Sequence, residues 1–316
     1  MQSRENARLH VGGIILNMDN KIWQQEWNKF GKLENIDDLK MYFQIDREFR
    51  HSYYFHYTSS DVIKSIFNNH KIWISNVGRF NDHNDREQFN TPYFFSLCFS
   101  TGVNENLPLW YMYSGMNGQG GRLGIKKSAI KGFIGIDGSV KYTLHELETD
   151  GNGKVTGLKP NTDIILKKDV DFSLRFKDVL YYQHSDEKGT VDIKYNTMTN
   201  YNISKIEFEE YKKENIGFFK SLVWYYEKET RLLIELVGNI RERIDPNKKY
   251  VITLDINEDI LKHISVTFAP EIKDAQREKT ENELRELYPD LRIEKSRYHG
   301  TVTMNFCSKC SERNKK

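Results

Sequence analysis

Apolar side chains recur at helical spacing from about Asn20 to Arg50, through Ile22, Trp23, Trp27, Phe30, Leu39, Tyr42, Phe43 and Phe49. The polar stretch from Gly31 to Asp38 interrupts them, so the pattern predicts two helices. Residues 1–50 are expected to form a helical N-terminal extension, with 1–18 loosely structured. From Ser52 the period changes. Tyr53 to Tyr57 predicts an aromatic strand, and Thr58 and Asp61 stand at capping-box-like spacing before a helix. Val62, Ile63, Ile66 and Phe67 would form that helix's buried face. Lys71 to Ser75 alternates like a strand, Asn76 to Asn90 is polar and loop-like, and Tyr93 to Ser100 is a continuous apolar strand. Leu107 to Met116 predicts a short aromatic helix, and Leu123 to Ile125 starts another strand. Turns and hairpins fill Asp137 to Asp163. Strands are expected at Tyr225 to Leu236, Tyr250 to Ile256 and Gly300 to Phe306, with a charged helix from Lys273 to Tyr288. No strict β-α-β alternation appears, so the class is α+β. The expected organisation is one domain over 51–306 and a basic tail over 307–316.

The charge balance of 47 basic and 45 acidic side chains, a net +2, argues against a dedicated duplex-binding protein. A hydrophobic fraction of 38% with 13% aromatic residues supplies a real core and excludes wholesale disorder. Three cysteines make no disulfide framework, which points to a reducing compartment. The first 21 residues carry no secretory pattern, and the apolar run Val11–Met18 is too short to span a bilayer. A cytoplasmic protein without a membrane role is expected.

Several weak chemical signals can be weighed. Cys307 and Cys310 form one C-x-x-C pair without the second pair that a structural zinc site needs. Gly115, Gly118, Gly120 and Gly121 lack the Gly-Lys-Ser/Thr of a phosphate loop. No Gly-x-Ser-x-Gly or His-Glu-x-x-His occurs. Asp82, Asp85 and Glu87, beside His83, could bind a divalent cation through oxygen ligands or simply form a solvated loop.

The stronger constellation is spread over three predicted strands. His56 ends an aromatic strand, Ser100 and Thr101 end a buried one, and Glu227 and Glu229 stand two apart in Tyr225–Leu236. In a strand that spacing puts both carboxylates on one face, where they need a cation, a donor or a substrate. Arg231, on the same face, is one structural answer; an exposed strand face with an ordinary salt bridge is the plain alternative.

The segments FHYTSSDVIKSIF, KIWISNVGRFNDHNDREQF, SLCFST with LPLWYMYSG, YEKETRLLI and SVTFAP through RIEKSRYHGTVTM resemble a bacterial family catalogued as domain of unknown function 2971. That resemblance runs from about residue 54 to 304 and implies no activity. More loosely, the order His56, Ser100-Thr101, Glu227-x-Glu229 resembles the ADP-ribosyltransferase superfamily, and His56-Tyr57-Thr58 resembles the opening of toxin enzymes that modify DNA. The long separation between Thr101 and Glu229 departs from that pattern and implies an insertion over about 137–215. This second resemblance implies a mixed, mostly antiparallel sheet and NAD as substrate. It implies that Glu229 stabilises the oxocarbenium-like ribose, and that Glu227 orients or activates the acceptor. His56, Tyr57, Thr58, Ser100, Thr101 and Tyr113 would hold the cofactor. ADP-ribose would pass to RNA, DNA or protein, in a bacterial toxin or anti-phage effector with a possible antitoxin or regulatory partner. Two other classes stay open. One is a metal-dependent nuclease or phosphatase built on Asp82, Asp85 and Glu87, and the other is a non-catalytic sensor or adaptor of a defence system.

Overall fold

The computed structural model describes residues 7–11, 14–18, 37, 52–80, 82–89, 92–101, 104–114, 119–135, 140–185, 189–194 and 201–301. Strands β1 (Ala7–Val11) and β2 (Ile14–Met18) pair as an antiparallel hairpin, where the sequence pattern suggests loose structure. The helices expected over 20–50 (Asp37 apart) and the cysteines of the C-x-x-C lie outside the described residues; of the strand expected at Gly300–Phe306 only Gly300 and Thr301 are described, and they stand in a turn.

The main domain opens with β3 (Tyr53–Ser59), helix α1 (Ser60–Asn69) and β4 (Lys71–Asn76). Ser59 caps α1, accepting from the Val62 N–H at 3.3 Å, so the cap lies one residue beyond the Thr58 expected. Ile63, Ile66 and Phe67 are buried, but Val62 is 42% exposed and turns outward, contrary to the expected apolar face. Then come α2 (His83–Arg86), β5 (Phe94–Ser100), α3 (Leu107–Tyr113), β6 (Gly120–Lys126) and α4 (Ile130–Phe133). The middle of the chain holds β7 (Tyr142–Thr149), β8 (Val155–Leu158), β9 (Ile164–Leu166), β10 (Phe172–Asp178), β11 (Leu180–Ser185), β12 (Thr190–Lys194), β13 (Tyr201–Ser204) and α5 (Lys205–Glu214). The last part holds β14 (Phe219–Ser221), β15 (Glu229–Leu236), β16 (Tyr250–Asp255), α6 (Glu258–Leu261), β17 (Ile264–Phe268), α7 (Asp274–Leu287) and β18 (Arg292–Lys295).

Twelve strands form one sheet that runs β18-β17-β6-β3-β5-β4-β16-β7-β8, with β9 beside β7 and β15 and β10 branching from β5. Every pairing in it is antiparallel except β17 with β18. The class is thus α+β with a mostly antiparallel sheet. Four more strands form a second sheet, β13-β12-β11-β14, in which β11 and β14 run parallel. The stretch expected as an insertion is not a separable excursion. β7, β8, β9 and β10 are strands of the main sheet, and β11 to β13 join β14 in the second sheet. Leu180, Ile193, Phe208 and Phe219 of that layer share a core with Phe89, Phe94 and Leu233.

β5 is the branch point. One edge pairs with β15 along its whole length, from Phe94 to Ser100. The other edge is divided: β4 pairs at Phe95 and Ser96, and β3 pairs at Ser100. Leu97, Cys98 and Phe99 have no strand partner on that edge among the described residues, so the sheet forks there. An unpaired carbonyl on an internal strand needs a donor. His56 supplies one, with its Nδ1 at 2.9 Å from the Cys98 carbonyl oxygen.

The strand expected over Tyr225–Leu236 begins only at Glu229. Leu222–Glu227 forms a tight 3-10 turn closed by Lys228 in the left-handed region, with φ 45°. Thr101 locks the junction, its N–H and its Oγ1 both donating to the Lys228 carbonyl at 3.0 Å. Gly217 precedes β14 at φ +88°, and a Cβ there would lie 2.7 Å from the Phe89 ring and 3.0 Å from the Leu233 side chain. We expect Gly217→Ala to lower stability by about 1–3 kcal/mol in urea unfolding. Gly151→Ala, where a Cβ meets nothing within 4 Å, should leave the unfolding midpoint near that of the parent.

Candidate active site at the fork

Five charged side chains meet beside β5, and all are buried: Asp85, Lys220, Glu227, Glu229 and Arg231. Their convergence follows from register. Glu229 lies opposite Ser100 and Arg231 opposite Cys98, so alternate residues of β15 and β5 point to one face. Arg231 is the hub. Its Nε and Nη2 donate to Glu229 at 2.7 and 2.9 Å, its Nη1 donates to Asp85 at 2.9 Å, and Nη1 also donates to the Gly217 carbonyl at 2.8 Å. The Phe80 ring lies under the guanidinium, 5.0 Å from its centre. Lys220, from β14, donates to Glu227 at 2.6 Å and stands 3.5 Å from Glu229 and 3.9 Å from Asp85. Tyr113, at the end of α3, donates to the other Glu227 oxygen at 3.1 Å. The Glu229 N–H donates to the Tyr181 hydroxyl at 2.9 Å.

Three carboxyls face two cations, and their surroundings push them apart. Burial alone would raise the Glu229 carboxyl, but Arg231 and then Lys220 outweigh it and hold it well below the ordinary carboxylate range. Glu227 has no such hub. Burial first, and the Glu229 charge second, push it up to about 7, while Lys220 restrains the rise. Lys220 is held charged, because Glu229, Glu227 and Asp85 together exceed the cost of burial. Burial, followed by the Glu229 charge, lifts the Cys98 thiol well above its usual range, which makes it a poor nucleophile.

The cavity above this network has a volume of about 860 Å³ and reaches His56, Tyr57, Thr58, Ser100, Tyr113, Glu227 and Glu229 together. That size is in the range of small-molecule sites, about 300–1,000 Å³. The expected residues do not all converge in the same way. Ser100 shares its face with Glu229, while His56 does not. Phe55 lies opposite Ser100, so the next residue turns to the other side of the sheet, where the imidazole meets the Phe99 ring at 6.2 Å. His56 and Glu229 therefore reach one cavity from opposite sides of the fork. Burial holds the imidazole neutral. With Nδ1–H given to a carbonyl, Nε2 is left as an acceptor. Tyr57 packs edge-on against Trp110 at 4.8 Å, and its hydroxyl accepts from the Asn106 N–H at 3.2 Å and from Arg122 at 3.3 Å. That is a core role for an expected cofactor residue. Thr101 does not line the cavity, and it fixes the Lys228 junction instead.

The acidic loop is also redistributed. Asp85 is committed to Arg231, Asp82 caps α2 by accepting from Asn84 at 3.1 Å, and Glu87 pairs with His83 at 2.9 Å. Among the described residues no three His, Cys, Asp or Glu side chains stand together to hold a metal ion. Pattern reading missed Asp85 as a partner of Arg231, and it missed Lys220 altogether. A lysine between Phe218–Phe219 and Leu222–Val223 is a legible signal, since an ammonium in an apolar run needs a buried anion.

Two expectations follow. Arg231→Leu leaves Asp85 and Glu229 as buried carboxylates without their hub, and stability should fall by about 3–5 kcal/mol in urea unfolding. A loss below about 1 kcal/mol would contradict the role of the hub. The second concerns pH. Glu227 keeps its proton to about pH 7 in the fold and releases it near 4.5 when unfolded, so the native state binds the extra proton between those values. Its contribution therefore declines as pH rises through that window. Glu229 acts oppositely: its contribution is complete above the ordinary carboxylate value and is lost as pH falls below it. The urea midpoint should decline less steeply between pH 5 and 7.5 in Glu227→Gln than in the parent, and parallel slopes would refute the assignment.

No helix among the described residues is long and apolar enough to cross a membrane. No family model, curated protein or solved structure matches this chain.

Proposed function

We propose that the fork is the active site of an NAD-consuming enzyme that breaks the nicotinamide–ribose bond and passes ADP-ribose to a macromolecular acceptor. The observation that carries this reading is a pair of carboxyls two residues apart with opposite tendencies, facing one cavity with Ser100, Tyr113 and His56. Such divergence is the usual mark of separated roles in acid–base chemistry. Glu229, always ionised and oriented by Arg231, supplies negative charge where the ribose becomes oxocarbenium-like. The C–N bond breaks with its electron pair leaving on nicotinamide. Glu227, ionised in part of the molecules near neutrality, takes the proton of the attacking acceptor hydroxyl, amine or water. Tyr113 and Lys220 fix its carboxylate, and Lys220 restrains the rise that burial and Glu229 impose. The Nε2 acceptor of His56 is suited to a ribose hydroxyl that reaches the fork.

Nicotinamide release from NAD, followed by chromatography, tests the reading. Glu227→Gln should reduce turnover about 10²–10⁴-fold while keeping the native circular dichroism spectrum. A chelator should change nothing. Full turnover by Glu227→Gln, or turnover abolished by the chelator, would sink the proposal.

A further inference from the structure

β4 presents an unusual face to the same cavity. Ser75 lies opposite Ser96, and directly paired residues share a face, so Lys71, Trp73 and Ser75 point the same way as Ser96, Ser100 and Glu229. Ile72 and Ile74, alternating with them, are 1% and 0% exposed, yet Trp73 is 40% exposed. All three cavity-facing residues of β4 line the cavity. The Trp73 indole meets no other aromatic ring among the described residues and keeps part of its surface open.

Charge points the same way. The cations of the cavity are mostly committed: Arg231 and Lys220 to the buried carboxylates, and Lys71 to Asp255 at 3.8 Å. Arg79, which follows β4 and lines the cavity, is exposed and has no acidic partner among the described residues. It adjoins Phe80, whose ring lies under Arg231. An open indole, an uncommitted guanidinium and a carboxyl pair in one cavity match a planar base, a diphosphate and a glycosidic bond.

We propose that β4 and Arg79 form a subsite for the adenosine-diphosphate half of a dinucleotide, with Trp73 stacking on the adenine and Arg79 pairing with the diphosphate. The ligand class rests on the glycosidic reading of the cavity, but the subsite is tested by binding alone. Calorimetric titration of the full chain with ADP and with adenosine separates the two contacts. Arg79→Ala should weaken ADP at least about tenfold and leave adenosine unchanged, as expected for loss of one charge-assisted pair. Trp73→Ala should weaken both ligands, and Trp73→Phe should restore most of the loss. Both side chains are exposed, so circular dichroism should show native folding. ADP binding equal to the parent in Arg79→Ala and Trp73→Ala, or no ADP binding by the parent at millimolar concentration, would overturn the subsite. Because no turnover is measured, failure of the parent to release nicotinamide would count against the reaction and not against this subsite.

Discussion

The architecture turns on one guanidinium. Arg231 lies in the interior and satisfies two carboxylates and a backbone carbonyl at once, tying β15 to the α2 loop and to the turn before β14. Three segments, one of them 146 residues away in sequence, are held by one planar group with five donors. Desolvating so much charge is costly, and a buried pair of this kind is weak evidence for stability. What it does provide is position. Glu229 cannot rotate without abandoning both Arg231 contacts, and Asp85 cannot leave without uncovering a buried cation. The network fixes where negative charge sits beside the cavity, and it leaves Glu227 as the carboxyl free to change its protonation near neutrality.

That network needs the fork in the sheet. If β3 continued alongside β5 in place of β4, or β4 in place of β3, the edge of Leu97 to Phe99 would be paired and the sheet closed. Instead the two strands part, and the Cys98 carbonyl is taken by an imidazole. A single buried side-chain bond thus stands in for a stretch of ladder. The opening joins the two faces of the sheet, which is why residues of opposite orientation, His56 and Glu229, line one cavity.

Much of the fold is legible in the chain. The aromatic strand at Tyr53–Tyr57, the continuous apolar β5, the charged helix after Pro270 and the absence of β-α-β order all follow from period and length. The errors have physical causes. Tyr225 to Leu236 reads as one strand because its Tyr, Thr, Leu and Ile residues suit a strand, but Trp224 to Tyr226 pair with no strand among the described residues and Lys228 adopts a left-handed turn. The middle of the chain reads as an insertion because its turns are local, whereas its pairings with β15 and β16 are distant. At the site, the shared face of Glu229 and Arg231 is visible in their spacing, but Glu227, expected on the same strand face, sits in the turn before the strand. The arrival of Asp85 and Lys220 is not visible, because long-range register brings them in. The orientation of His56 is equally invisible, since one residue of parity decides which side it faces.

The left-handed Lys228 has a consequence of its own. It divides the two carboxyls between different mechanical units: Glu227 belongs to a short aromatic turn, and Glu229 to a strand welded into the interior. Thr101 clamps the division from the neighbouring strand. Val223, which faces solvent, can therefore change without disturbing the anchored acid, whereas Trp224 lies over Lys220 and Tyr225 packs on Tyr181, and both of those touch Glu229. A lineage could retool what approaches from solvent while inheriting the charged interior intact.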